Sequence, residues 1–157
     1  MTYRIVAGID GSEHSNAALR WALEEAECHS GTVTAVVAWQ VPFLSFPGAF
    51  DRDELEKAYK NFVIETVSAI APKPAVPLET LVAEGDPTES LVEASKGANL
   101  LVLGIRGRSR FAGLLLGSVS QGAAATAHCP VVLVKVTDQN EPLPDVRNSA
   151  VFNRSIP

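Results

Sequence analysis

The chain has 157 residues, enough to bury one core and too few for two ordinary domains. Its 46% apolar and 20% charged residues exclude a disordered polymer, and no apolar run approaches the roughly 20 residues that span a bilayer. A net charge of −5 argues against general nucleic-acid binding.

Met1-Thr2-Tyr3-Arg4-Ile5 leads almost directly into a strand pattern with no signal-peptide apolar core, so a cytoplasmic setting is expected. Cys28 and Cys129 fit no CxxC or zinc spacing and read as buried, reduced thiols.

Residues 3–9 form an apolar, β-branched run that stops at the turn signal Asp10-Gly11-Ser12. Between residues 15 and 30, Ala18, Leu19, Ala22, Leu23 and Ala26 recur at three- and four-residue spacing, which predicts an amphipathic helix. Ser12 or Ser15 is its candidate N-cap, and Gly31 stands where a C-terminal cap belongs. Residues 32–39 predict a strand covered on both faces, since the apolar run hardly alternates.

Residues 40–50 read as a loop whose Phe43, Phe46 and Phe50 need packing partners. A long helix over 51–71 presents Leu55, Tyr59, Phe62, Val63, Val67 and Ile70, and prolines lead from it into a strand at 78–83. Asp86-Pro87-Thr88-Glu89 combines a capping aspartate, proline at the first helical position and a following glutamate, which predicts a helix to about residue 96. A strand at 100–103, a helix at 118–127 and a strand at 131–136 complete the alternation. Nine elements in β-α-β order call for one parallel sheet with helices on both faces. Residues 1–136 make the domain; residues 137–157, with three prolines and no periodicity, read as an extended or disordered tail.

The stretch most suggestive of chemistry follows the fourth strand. An apolar run ends at Gly104, Arg106, Arg108 and Arg110 follow within six residues, and Gly117-Ser118 opens a helix. Glycines allow the main chain to approach an anion, and a helix N-terminus offers unpaired N–H groups and partial positive charge. Ligands of open α/β sheets bind beyond the carboxyl ends of the strands, where the winding reverses. If the first and fourth strands are neighbours, Asp10 and this nest share a cleft. Asp10 then holds Mg²⁺ or a ribose hydroxyl, or it caps the first helix. No GxxxxGK[ST] motif is present, which disfavours a vigorous P-loop ATPase. His14, His29 and His128 share no ligand spacing.

The pattern G-x2-G-x9-G-[ST], here Gly104, Gly107, Gly117 and Ser118, resembles that of the ATP-binding universal stress protein family. The resemblance extends to Val6-Ala7-Gly8-Ile9-Asp10-Gly11-Ser12, to Gly85-Asp86-Pro87, and to the segment from His128 through Val134. It implies an open five-stranded parallel sheet of order 3-2-1-4-5, with ATP at the reversal between strands one and four. Mg²⁺ is expected with the ATP, because a carboxylate beside phosphates calls for a cation. Gly8 and Asp10 would meet adenosine and ribose, and Ala38 the adenine. Gly104, Ile105, Arg106, Gly107, Arg108, Ser109 and Arg110 would wrap the phosphates. Gly117, Ser118, Val119 and Ser120 would bind them through N–H and hydroxyl groups. The resemblance also implies a homodimer through the last strand, 131–136, whose apolar edge is otherwise an aggregation liability.

The function expected is a stress-response module that binds ATP and passes the signal on by population shift. The alternatives are a slow ATP hydrolase or nucleotidyl-transferring enzyme of the same fold, a cAMP-binding protein, and a nucleotide-free scaffold dimer.

Overall fold

The computed structural model describes residues 2–41, 51–107 and 116–136. The phenylalanines at 43, 46 and 50, the arginines at 108 and 110, Ser109, and the tail 137–157 lie outside the described residues. The elements are β1 (Arg4–Gly8), α1 (Glu13–Cys28), β2 (Thr32–Trp39), α2 (Arg52–Ile70), β3 (Leu78–Glu84), α3 (Pro87–Ala94), β4 (Leu100–Gly104), α4 (Ser118–Thr126) and β5 (Val131–Val134). All neighbouring strands are parallel, in the order β3-β2-β1-β4-β5.

Alternation along the central strands divides the core between the two sheet faces. Ile5 and Ala7 of β1 join Val33, Ala35 and Val37 of β2 under α1 and α2, which contribute Ala18, Leu19, Ala22, Ala26, Val63 and Val67. On the opposite face Val6, Val36, Leu101 and Leu103 pack with Leu91 of α3 and Ala123 of α4. β2 is thus buried on both faces, as its unbroken apolar run implies. The edge strand β3 is far more exposed, with Leu81 projecting to solvent.

The helix ends show how local chemistry sets the boundaries. Ser12 caps α1: its hydroxyl oxygen accepts the Ser15 N–H at 3.2 Å, so the helix starts at Glu13, ahead of the expected residue 15. At the other end Ser30, with φ 50°, takes the left-handed position. The Gly31 N–H reaches the Ala26 carbonyl at 2.8 Å and the Ser30 N–H reaches Glu27 at 3.2 Å, which is the Schellman pattern. Gly31 is therefore not the left-handed cap. Its lack of a side chain serves a close approach instead, because a Cβ there would run into the Tyr3 carbonyl.

Asp86 caps α3 as its sequence predicts, accepting from Thr88 and Glu89 N–H at 2.8 and 3.1 Å. That helix stops at Ala94, where the Arg4 guanidinium donates to the Ala94 and Lys96 carbonyls. β5 ends at Val134, short of residue 136. Beyond it the Val136 N–H leaves the sheet and donates to His14 Nδ1 at 3.0 Å.

Cys28 is exposed, contrary to the expectation that both cysteines are buried. It lies two positions past the buried Ala26, roughly 200° further round the helix, so it leaves the core-facing stripe. Cys129 is half-buried, and that burial raises its thiol pKa against the opposing influence of the Ser95 hydroxyl and the Arg4 charge.

Candidate functional site

β1 and β4 run side by side, with Ile5 opposite Leu100 and Ala7 opposite Val102. Their carboxyl ends therefore deliver two turns to one place, and the chain reverses its winding between them. The turns are stitched together: the Ser12 hydroxyl donates to the Arg106 carbonyl at 3.4 Å, while Asp10 Oδ1 accepts the Ser12 N–H at 2.9 Å. Asp10 is thus the acceptor of its own turn, and the capping of α1 falls to Ser12.

The strand ends open into a cavity of about 270 Å³. Ten of the residues expected there line it: Gly8, Asp10, Ala38, Gly104, Arg106, Gly107, Gly117, Ser118, Val119 and Ser120. Ile105 does not. Its main chain instead braces the wall, donating to the Val134 carbonyl at 2.9 Å and accepting the Gly117 N–H at 2.8 Å. The walls also include Ile9, Ser15, Val36, Pro87, Leu91 and Leu103, none of which the sequence reading proposed for the site. Pro87 and Leu91 come from α3, so one side is apolar and belongs to an element outside the two turns.

The glycines in this region do different jobs. A Cβ at Gly104 would stand 2.7 Å from the His14 carbonyl carbon and 2.8 Å from the Ser15 nitrogen, so that glycine lets β4 lie against the start of α1. A Cβ at Gly107 would stand 2.5 Å from Asp10 Oδ2, which brings the two turns into direct contact. Gly117 is different. Its backbone, at φ −70° and ψ 154°, suits any residue, and a Cβ there would meet the described residues only at 3.5 Å or more.

Gly117 is also the N-cap of α4 and contributes no side-chain hydrogen bond to that cap. The first-turn N–H groups of a helix have no acceptor within the helix, so this N-terminus presents donors to the cavity that Ser118, Val119 and Ser120 line. The Ser120 hydroxyl, one of the expected phosphate contacts, has a partner within the fold. It is buried and donates to the Gly104 carbonyl at 2.7 Å, so its hydrogen is already committed to holding α4 against β4. Ser118, by contrast, is exposed at the helix start. Arg106, also exposed, brings positive charge to the rim, and Asp10 supplies a carboxylate. No group of three or more His, Cys, Asp or Glu that could hold a metal ion occurs among the described residues.

A family model described as the universal stress protein family matches residues 1–135. The chain belongs to that family. A universal stress protein of Mycobacterium tuberculosis is 38% identical over 152 residues, covering 89% of this chain and 50% of that relative. The chain spans about half the length of such mycobacterial relatives. Universal stress protein UspA from Lactobacillus plantarum superimposes with a TM-score of 0.73 at 22% identity, covering 84% of this chain and 97% of that one. A universal stress protein crystallised in complex with cAMP gives a TM-score of 0.67 at 27% identity, covering 86% and 98% of the two chains. The strand order expected of a universal stress protein is thus the order observed. No helix among the described residues is long and apolar enough to cross a membrane.

Proposed function

We propose that this universal stress protein binds an adenine nucleotide, ATP foremost, in the cavity between the β1 and β4 turns, and acts as a regulatory module of the stress response. The observation that carries the reading is Gly117. Neither its backbone angles nor the described residues around it require a glycine, and it stands at the open N-terminus of α4. A residue kept bare where free N–H groups converge makes room for phosphate oxygens.

In this reading the main-chain amides of Ser118, Val119 and Ser120 hold the polyphosphate, with Arg106 adding charge at the rim. Arg108, Ser109 and Arg110 belong to the same proposed cradle. Asp10 takes a ribose hydroxyl or a Mg²⁺ ion carried by the phosphates; magnesium is commonly held by one or two carboxylates together with substrate phosphates, so a single aspartate suits it. Gly8 and Ala38 border the base, and Pro87 and Leu91 supply an apolar wall. Binding favours one arrangement of the glycine loop and so selects the surface offered to partners. A homodimer through the β5 edge, in a cytoplasmic setting, is part of the same proposal.

Cyclic AMP is the second candidate, favoured by the related protein crystallised with that ligand. Chromatography of the supernatant from denatured, freshly purified protein tests both. ATP near one equivalent per chain supports the first reading, and cAMP in its place supports the second. Accumulation of ADP over many turnovers points to the hydrolase. No retained nucleotide, and no binding of added ATP with Mg²⁺, refutes the proposal.

A further inference from the structure

Gly11, at φ +78°, forms the bend between Asp10 and the Ser12 cap, and an aromatic ring lies directly on it. Phe62 of α2 places its Cζ and Cε2 atoms 2.9 and 3.1 Å from where a Cβ at Gly11 would stand. Phe62 in turn meets Tyr59 edge-on at 6.5 Å, and Tyr59 stacks on the buried Trp39 at 6.0 Å. Trp39 is the last residue of β2, and its carbonyl accepts the Gly85 N–H at 2.8 Å. A column of three rings therefore runs from the sheet to the outer side of the β1–α1 turn. On the inner side of that turn, Asp10 Oδ1 holds the Ser12 N–H and Oδ2 lies against Gly107.

We propose that Phe62, which does not line the cavity, is a positioning residue that sets the Asp10 carboxylate for a ribose hydroxyl and so tunes selectivity for ribose over sugars lacking hydroxyls. The inference rests on the nucleotide reading above. Its physical basis is that a left-handed glycine bend has little rigidity of its own, and a packed ring against it removes the alternatives. The side chain that reads the sugar thereby inherits its precision from α2, an element that contributes nothing to the cavity wall.

Titration calorimetry with ATP and with its dideoxy analogue, which lacks both ribose hydroxyls, separates the sugar contact from the phosphate contacts. The unaltered chain is expected to prefer ATP by about tenfold, the worth of one hydrogen bond to a charged group. Asp10→Ala should bring that ratio close to one. Phe62→Ala should do the same while leaving the affinity for the dideoxy analogue unchanged, and Phe62→Leu, which refills part of the space, should recover part of the ratio. Phe62→Leu also serves if the alanine variant fails to fold. A full ratio in both folded Phe62 variants, with the ratio lost in Asp10→Ala, overturns this inference and leaves the nucleotide reading standing. Equal affinity of the unaltered chain for the two ligands overturns the sugar contact and the inference together, with ATP binding intact. No binding of either ligand overturns the nucleotide reading itself, and this inference with it.

Discussion

Replacing Gly104 and Gly117 separately by alanine tests whether the two glycines of the motif serve the fold and the ligand respectively. At Gly104 the new methyl would meet His14 and Ser15 main-chain atoms at 2.7 and 2.8 Å. Backbone cannot rotate aside as a side chain can, so the cost should lie at the top of the overpacking range, about 3 kcal/mol. For a chain of this length that lowers the melting temperature by roughly 6–12 °C. At Gly117 the methyl meets only ordinary contacts, and the backbone angles need no adjustment. Loss of unfolded-state freedom contributes about 0.4–1 kcal/mol of stability, and alanine's poorer capping offsets about as much. Gly117→Ala should therefore melt within about 4 °C of the unaltered protein.

Binding should rank the two variants the other way. The Gly117 methyl occupies the approach of the phosphates to α4 and should weaken ATP at least about tenfold, or roughly 1.4 kcal/mol. Gly104→Ala, measured well below its melting temperature, should lose less. Differential scanning fluorimetry without ligand and calorimetry with ATP and Mg²⁺ give the two rankings. A Gly104→Ala chain as stable as the parent, or a Gly117→Ala chain with the parent's affinity, refutes the division of labour.

Ser30→Gly relieves an L-residue at φ 50° and should raise stability by about 1 kcal/mol, read as a higher melting temperature. An unchanged melting temperature would show that Ser30 bears no strain. In the proposed homodimer, Val131→Lys and Leu133→Lys should give monomers in sedimentation velocity, with circular dichroism checking the fold because both side chains also pack against the Leu101 and Leu103 face of the core. A dimer unaffected by both changes would place the interface elsewhere, and a monomeric unaltered chain would refute the dimer. Cys28 should react with a thiol-specific disulfide reagent well before Cys129 at neutral pH. Cys129 is half-buried and its burial raises the thiol pKa, so its labelling should be slower and should accelerate only in more alkaline solution. Equal rates would contradict this assignment.

The parts of this molecule legible in its sequence are those decided within a few neighbouring residues. The β2 limits and the Asp86-Pro87 start of α3 rest on local chemistry, and the structure reproduces them. What escaped reading depends on contacts between segments far apart in the chain. Gly104 is bare because α1 crosses it, and the Ser120 hydroxyl turns inward because the Gly104 carbonyl lies beneath it. Pro87 and Leu91 became cavity walls only once α3 was laid beside β1. Cys28 is a different kind of miss: the helical stripe already placed it outside, and the absence of a metal or redox spacing says nothing about burial. The Ser30 cap was hidden because glycine is the usual left-handed residue, and a glycine stood next door.

The Ser12–Arg106 hydrogen bond joins residues 94 positions apart. Half of the proposed cradle is synthesised with the first turn of the chain and the other half only after β4, so no fragment ending before β4 carries a working portion. Occupancy and folding are consequently one equilibrium: a ligand at a hundred times its dissociation constant adds about 2.7 kcal/mol to the stability of the whole domain. If the proposed ATP binding holds, emptying the cavity withdraws that increment from the whole domain at once, and resistance to a protease with and without ATP reads it out.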